Sequence, residues 1–130
     1  MQHRFALINA RLVTPDGILE DGVLRVEDGR IASVGSHVGN GCPAVDAAGA
    51  YLLPGFIDIH SDAIEKGIEP RPNTFFPVDI AVHELDKKLA SCGITTIYHS
   101  LSFAELEVGV RNNSTAAKII REINAMRGDL

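Results

Sequence analysis

The fold of this chain is decided by the stretch Leu52-Leu53-Pro54-Gly55-Phe56-Ile57-Asp58-Ile59-His60-Ser61-Asp62. Its first eight positions hold five apolar residues, which are Leu52, Leu53, Phe56, Ile57 and Ile59. A short apolar run of this kind is typical of a strand that is buried on both faces, as in a parallel sheet. His60 and Asp62 form a polar tip. Because residues i and i+2 of a strand point to the same side, their side chains should project together.

This imidazole and this carboxylate permit two interpretations. Parallel α/β sheets and barrels build their sites at the carboxyl ends of the strands, so His60 and Asp62 are candidate metal ligands. The alternative is structural: the two side chains are a hydrogen-bonded pair that caps the strand. The two residues by themselves leave both interpretations open, and the flanking sequence is needed to choose between them.

The composition is that of an ordinary globular protein. With 130 residues, the chain is one small domain or part of a larger one. Its 12 basic and 17 acidic residues give a formal charge of −5, which argues against general affinity for nucleic acid. No apolar run approaches the roughly 20 residues of a membrane span, and residues 1–5 show no secretory signal. Cys42 and Cys92 lack metal-ligand spacing. We therefore expect a cytoplasmic protein with free thiols and with Cys92 in its core, without a nucleic-acid or membrane partner.

The first 50 residues are predicted to form a small antiparallel β layer. Its strand segments are Phe5–Ile8, which continues through Leu12 and Val13, then Val23–Glu27, Arg30–Val34 and Val45–Ala47. Thr14-Pro15-Asp16-Gly17 is a turn signal. Asp28-Gly29 lies between two alternating runs, which is the strongest short-range indication of a hairpin.

The remainder of the chain is predicted to form two consecutive βα units. A proline-rich loop follows Asp62, and a helix then carries Val82, Leu85, Leu89 and Cys92 at helical spacing, with Gly93 as its stop. The next strand, Ile94–Tyr98, ends at His99 and is followed by a second loop with a short helical turn around 104–108. A second helix begins at Ser114, which can serve as its N-cap. A right-handed crossover should make the two strands parallel.

A family resemblance rests on the motif Pro54-Gly55-Phe56-Ile57-Asp58-Ile59-His60-x-Asp62, which follows a series of small hairpins. This motif resembles the first barrel strand of the amidohydrolase superfamily. Most of that superfamily has His-x-His where this chain has His60-Ser61-Asp62. Three further segments, Glu65-Lys66, Glu69-Pro70-Arg71-Pro72 and Gly93-Ile94-Thr95-Thr96, are similar to the phosphonate-metabolism branch, which serves the carbon–phosphorus lyase pathway.

The resemblance implies a fold and a division into domains. Residues 1–51 would be part of a β-sandwich, and residues 52–130 would be the first two βα units of a (β/α)8 TIM-type barrel, which is incomplete here. The chain would correspond to about the first third of such a protein. Because two βα units leave an open sheet edge, we also expect the chain to be homo-oligomeric. We expect it to be inactive by itself, because the resemblance implies that further metal ligands lie beyond residue 130.

The resemblance also implies a site. His60 and Asp62 would bind a divalent metal, with zinc as the first choice and manganese or iron as alternatives, while the other ligands would lie beyond residue 130. Lys66 and Arg71 would contact the phosphates of a small phosphorylated substrate. The alternative for these two cations is a solvated loop in which Glu65 and Glu69 are surface partners. Ala63 replaces an asparagine that is usual in this branch, so one supporting hydrogen bond is in doubt.

The other histidines receive structural roles. His99 ends the second strand, on the same side as His60, at a position where the family more often has an acidic residue. We expect it to be a satisfied structural histidine, and we expect His3, His37 and His83 to lie at the surface.

Three functions follow from this sequence. The first is a metal-dependent diphosphatase that cleaves the triphosphate of α-D-ribose 1-methylphosphonate 5-triphosphate and releases pyrophosphate, as the resemblance implies. The second keeps the fold and hydrolyses a C–N bond, by opening a cyclic amide or deaminating a base. The third is a non-catalytic binding or assembly module built on the β layer.

Overall fold

The computed structural model describes residues 4–39, 41–104, 109–126 and 128. The chain divides into two compact units, Met1–Pro54 and Gly55–Leu130, whereas the sequence places the boundary after residue 51. The strands of the first unit are β1 (Arg4–Thr14), β2 (Gly17–Glu27), β3 (Arg30–Gly35), β4 (Ala44–Asp46) and β5 (Tyr51–Leu52). The elements of the second unit are β6 (Phe56–Ser61), α1 (Ala63–Ile68), α2 (Val78–Ser91), β7 (Ile94–His99) and α3 (Asn113–Ala125).

The first unit is a five-stranded sheet built around β1. Strands β1, β2 and β3 are consecutive antiparallel neighbours, which confirms the predicted layer, and the short strands β4 and β5 both pair with β1 in parallel. The predicted hairpin turn between β2 and β3 is confirmed as well. Asp28 and Gly29 both have positive φ, 49° and 74°, which is the backbone conformation that a tight hairpin turn requires.

The apolar run that decides the fold is divided between the two units. Tyr51 and Leu52 pair with β1, whereas Phe56–Ser61 forms β6 and pairs in parallel with β7. The single strand predicted from Leu52 onward is therefore wrong, although the predicted parallel pairing is confirmed. The break falls at Pro54, which lacks a backbone donor, and at Gly55, where a Cβ atom would lie 2.2 Å from the Thr95 side chain.

Strand β6 is exposed, so the prediction of a strand buried on both faces is wrong for this chain. Ile57 is 61% exposed and Ile59 is 79% exposed. The physical reason is the sheet itself: in the described part of the chain, β6 has β7 as its one neighbour in a two-stranded sheet. A βα unit covers a strand fully only when further strands and helices flank it.

The core of the second unit lies among its helices. Eight buried residues form one apolar cluster, namely Ile64, Ile68, Val78, Ala81, Val82, Val110, Ile119 and Met126. They come from α1, α2 and α3, together with Val110 before α3 and Met126 directly after it. No described helix is long and apolar enough to cross a membrane.

The helices differ from the sequence prediction at their ends. Helix α1 occupies part of the segment predicted to be a loop. Helix α2 is confirmed, but Cys92, at its C-terminal end, is exposed and does not enter the core. Helix α3 is capped by Asn112, whose side chain accepts a hydrogen bond from the Thr115 N–H at 2.8 Å, instead of by Ser114. The helical turn predicted around 104–108 falls largely on residues 105–108, which lie outside the described residues.

Two neighbouring isoleucines of α3 test where the core lies. Ile119 is 1% exposed, whereas Ile120 is 48% exposed. Replacing Ile119 with Ala should lower the free energy of unfolding by about 2–5 kcal/mol, since the change leaves a cavity in the helical core. The matched change Ile120→Ala should cost less than about 1 kcal/mol. Urea unfolding of both variants measures the difference, and equal losses would contradict this location of the core.

Candidate functional site

His60 and Asp62 lie at the carboxyl end of β6. His60 is exposed, and its backbone N–H donates to Asp58 Oδ1 at 3.2 Å. Asp62 directly follows the strand, at the N-cap position of α1, but its side chain makes no capping hydrogen bond. In the described part of the chain, the carboxylate of Asp62 is paired with Lys66 and Arg111 instead of with His60. The structure thus offers no support for a strand-capping pair, and a joint role of the two side chains stays a prediction.

The Asp62 carboxylate is held between two cations. Its Oδ2 atom lies 3.4 Å from Lys66 Nζ and 3.5 Å from Arg111 Nη2. The hydrogen bond from the Lys66 ammonium is the main cause of a lowered pKa for Asp62. Burial is the next largest effect and acts in the opposite direction, while the charge of Lys66 and, least of all, that of Arg111 lower the pKa further. Asp62 is therefore ionised at neutral pH, which is the form in which a carboxylate binds a metal.

Glu65 of α1 supplies a buried carboxylate beside this pair. It is 3% exposed, and both of its oxygens accept hydrogen bonds. Oε1 accepts from the Ser102 N–H at 2.7 Å, and Oε2 accepts from the Arg111 Nε–H at 3.1 Å. The interpretation of Glu65 as a surface partner is therefore wrong, because the segment before α3 covers it.

Glu69 makes a second connection of the same kind. Its Oε1 accepts from the Asn73 N–H at 3.0 Å, and its Oε2 accepts from the Val110 N–H at 2.9 Å. Gly109, with φ of +78°, lies against the Glu69 carboxylate, so a Cβ atom at this position would displace that carboxylate. Two carboxylates one helical turn apart thus fix the same segment of chain.

A cleft of about 310 Å³ opens beside these carboxylates. Its lining includes three cations, Lys66, Arg71 and Arg111, together with Glu65, Glu69 and Val110. The structure therefore brings both predicted phosphate contacts, Lys66 and Arg71, to one cleft; their role as phosphate contacts stays a prediction. The sequence reasoning missed Arg111, which lies 46 residues from Glu65 along the chain and carries no motif of its own.

His99 does not behave as a satisfied structural histidine. Its Nδ1 atom is buried and has no hydrogen-bond partner among the described residues. Burial lowers the pKa of its imidazole, and the charge of Asp58 acts in the opposite direction. His99 pairs in register with Ser61 and lines a second cleft of about 310 Å³ with residues of α2 and α3.

The donor chemistry of His60 and Asp62 fits a divalent metal, but their number does not complete a site. A catalytic zinc site uses three protein ligands and an open position, and an imidazole with a carboxylate also suits manganese or iron. The described residues contain no group of three His, Cys, Asp or Glu side chains that could hold a metal ion. This part of the chain can therefore supply two of the ligands, and the rest would have to come from elsewhere.

The buried carboxylate gives a prediction for stability. Glu65→Ala should lower the free energy of unfolding by about 3–5 kcal/mol, because it leaves Arg111 and the Ser102 N–H without their acceptor. The control Glu84→Ala removes the exposed ion pair with Lys87 on α2 and should cost at most about 1 kcal/mol. Chemical denaturation of both variants distinguishes them. A small loss for Glu65→Ala would mean that water replaces these contacts.

His99 gives a prediction for pH. The ordinary pKa of histidine is 6.5 and is lowered here, so the unfolded chain takes up the proton first as the pH falls. The free energy of unfolding should therefore decrease as the pH falls through 6.5. Asp58 on β6 and Asp86 on α2 are the charged groups near the imidazole, and Ile123 of α3 carries no charge.

His99→Gln should remove this part of the pH dependence, whereas the control His83→Gln, on the exposed side of α2, should keep it. Denaturant unfolding at about pH 7.5 and about pH 5.5 makes the comparison. An identical pH dependence in His99→Gln and in the unchanged protein would exclude His99 as its origin.

Comparison with known proteins identifies the family. No protein-family model matches the chain. It is 29% identical over 115 residues to the alpha-D-ribose 1-methylphosphonate 5-triphosphate diphosphatase of Escherichia coli (strain K12). The aligned region covers 88% of this chain and 30% of that protein. It is 35% identical over 92 residues to the L-hydantoinase of Paenarthrobacter aurescens, over 68% of this chain and 18% of that protein.

The solved structures agree on the fold. The N-acetylglucosamine-6-phosphate deacetylase from Pasteurella multocida superposes with a TM-score of 0.65 at 21% sequence identity. The superposed region covers 98% of this chain and 32% of the deacetylase chain. The chain thus spans about a third or less of the length of the proteins it matches. Together, these relatives and this fold show that the chain belongs to the amidohydrolase superfamily.

Proposed function

We propose that the chain is the N-terminal part of a divalent-metal-dependent diphosphatase. Its substrate would be α-D-ribose 1-methylphosphonate 5-triphosphate, and its products would be pyrophosphate and the 5-phosphate. The observation that carries this proposal is the cleft lined by Lys66, Arg71 and Arg111. Two of these cations, Lys66 and Arg111, also pair with Asp62. The similarity to the Escherichia coli diphosphatase over 88% of the chain supports the choice of substrate.

The proposed roles follow from the chemistry of each side chain. His60 and Asp62 would hold the metal, which when bound would activate water for attack near neutral pH. Lys66 lies beside Asp62 and further favours the ionised form of that carboxyl, since its hydrogen bond is the main cause of the lowered pKa. Arg71 offers a planar guanidinium fork and Lys66 a compact charge, and both suit phosphate oxygens.

The reaction itself is a simple hydrolysis. A water oxygen forms a bond to the phosphorus of the phosphate next to the ribose, and the anhydride bond to the second phosphate breaks. The bridging oxygen and its electron pair leave with pyrophosphate. Negative charge develops on the phosphate oxygens as this bond breaks, so cations already in place beside the cleft would stabilise the transition state more than the bound substrate.

Hydrolysis of a C–N bond is the second candidate. It is favoured by the similarity to the L-hydantoinase, which is higher in identity, 35%, but covers only 68% of the chain. Activation of water by a metal suits both reactions, so the products must decide: pyrophosphate supports the first candidate, and a ring-opened amide or ammonia supports the second. A binding module would need neither a metal nor His60 and Asp62. A cytoplasmic location and a homo-oligomeric state remain predictions from the sequence.

Loss of the imidazole tests the proposal. His60→Ala in the full-length protein should lower kcat/KM for pyrophosphate release by at least about 1,000-fold, or about 4 kcal/mol of transition-state stabilisation, because a metal ligand is lost. The control is His83→Ala, an exposed histidine of α2, which should leave the rate unchanged. Near-normal release of pyrophosphate by the His60→Ala variant would overturn the assignment of His60.

A further inference from the structure

We infer that Arg111 is a positioning residue for Asp62: its guanidinium, anchored on the buried Glu65, holds the Asp62 carboxylate in place for the metal. This inference rests on the proposed function, because it takes Asp62 to be a metal ligand. It adds a residue that carries no motif and that lies far from the barrel-strand signature in the sequence.

The first step of the argument is the geometry of the guanidinium. Its Nε–H donates to Glu65 Oε2 at 3.1 Å, while Nη2 lies 3.5 Å from Asp62 Oδ2. One planar group therefore lies against two carboxylates through two of its nitrogens, Nε toward Glu65 and Nη2 toward Asp62. Arginine suits this task because its donors are arranged in a rigid fork, so fixing one donor also fixes the direction of the others.

The second step is that the anchor is itself immobile. Glu65 is 3% exposed, and its other oxygen accepts the Ser102 N–H at 2.7 Å. A buried carboxylate with both oxygens occupied cannot rotate without losing a charge-assisted hydrogen bond. Arg111 is thereby held against a fixed point on α1, the same helix that begins directly after Asp62.

The third step distinguishes Arg111 from Lys66, which also contacts Asp62 Oδ2. The Lys66 side chain is 72% exposed, and its ammonium is a mobile point charge on a flexible stem. It places a positive charge beside Asp62 without a second fixed donor that would set the direction of the carboxylate. Groups that orient a metal ligand in this way commonly change metal affinity 10- to 100-fold when they are removed.

The chain offers a matched control in Glu69. This carboxylate fixes the same segment, through the Val110 N–H at 2.9 Å, and is not among the residues paired with Asp62. If Arg111 acted only by stabilising that segment, loss of the Glu69 contact should have the same consequence. If Arg111 acts by orienting Asp62, Glu69→Gln should lower thermal stability while leaving metal affinity unchanged.

The experiment is a titration of the metal-free, full-length protein with Zn²⁺, and in parallel with Mn²⁺, in competition with a chromophoric chelator. Arg111→Gln should weaken metal binding about 10- to 100-fold, and Glu69→Gln should not. Arg111→Lys should fail to restore binding, because one ammonium cannot span both carboxylates. Should Arg111→Gln not fold, Arg111→Lys takes its place, with the same weakening expected.

A double-mutant cycle with Asp62→Asn separates positioning from stability. If Arg111 acts through Asp62, then Arg111→Gln should have no further effect on metal affinity in the Asp62→Asn background. A full additional loss in that background, or unchanged metal binding by Arg111→Gln while Asp62→Asn weakens it, would overturn the inference alone. Unchanged metal binding by Asp62→Asn itself would overturn the proposed ligand, and the inference with it.

Discussion

The hydrogen bonds of the Glu65 carboxylate are the interaction on which the second unit depends. An ionised carboxylate that leaves water without partners costs several kcal/mol, so a helix that carries one into the interior must bring donors to it. Here those donors are the Ser102 N–H and the guanidinium of Arg111, both from the segment that precedes α3. The carboxylate thus ties Ser102 and Arg111 to α1, and Glu69, four residues further along, binds the neighbouring Val110 N–H.

This arrangement also explains why the candidate site is compact. Helix α1 begins immediately after Asp62, so any group fixed to α1 is fixed relative to the end of β6. Arg111 is brought to Asp62 by its bond to Glu65 and not by proximity in sequence. The cleft with Lys66 and Arg71 lies along the same helix turn and the proline-containing segment that follows it. Packing and charge therefore act together, since the contacts that bury Glu65 also gather the cations.

The sequence predicted the local features and missed the ones that depend on distant contacts. Periodicity and glycine positions located α2 and the Asp28-Gly29 hairpin, because each is determined within a short segment. The parallel pairing of β6 with β7 joins distant segments, and it was predicted from the general handedness of βα crossovers. Residue type and strand position singled out His60 and Asp62 as candidates, the family resemblance favoured metal ligands over a capping pair, and that role stays a prediction. Arg111 could not be found this way, because its role depends on a contact across 46 residues. The exposure of β6 was missed because an apolar sequence shows only that a strand is suited to burial. It does not show whether neighbouring strands and helices are present to cover that strand.

The location of the apolar cluster has a consequence for how this region can diverge. Its eight buried members come from the three helices, Val110 and Met126, and among the described residues neither β6 nor β7 contributes a fully buried side chain. Ile57 and Ile59 of β6 are largely exposed, so changes at these two positions remove little buried apolar surface. New specificities can therefore arise on this strand without rebuilding the helical scaffold.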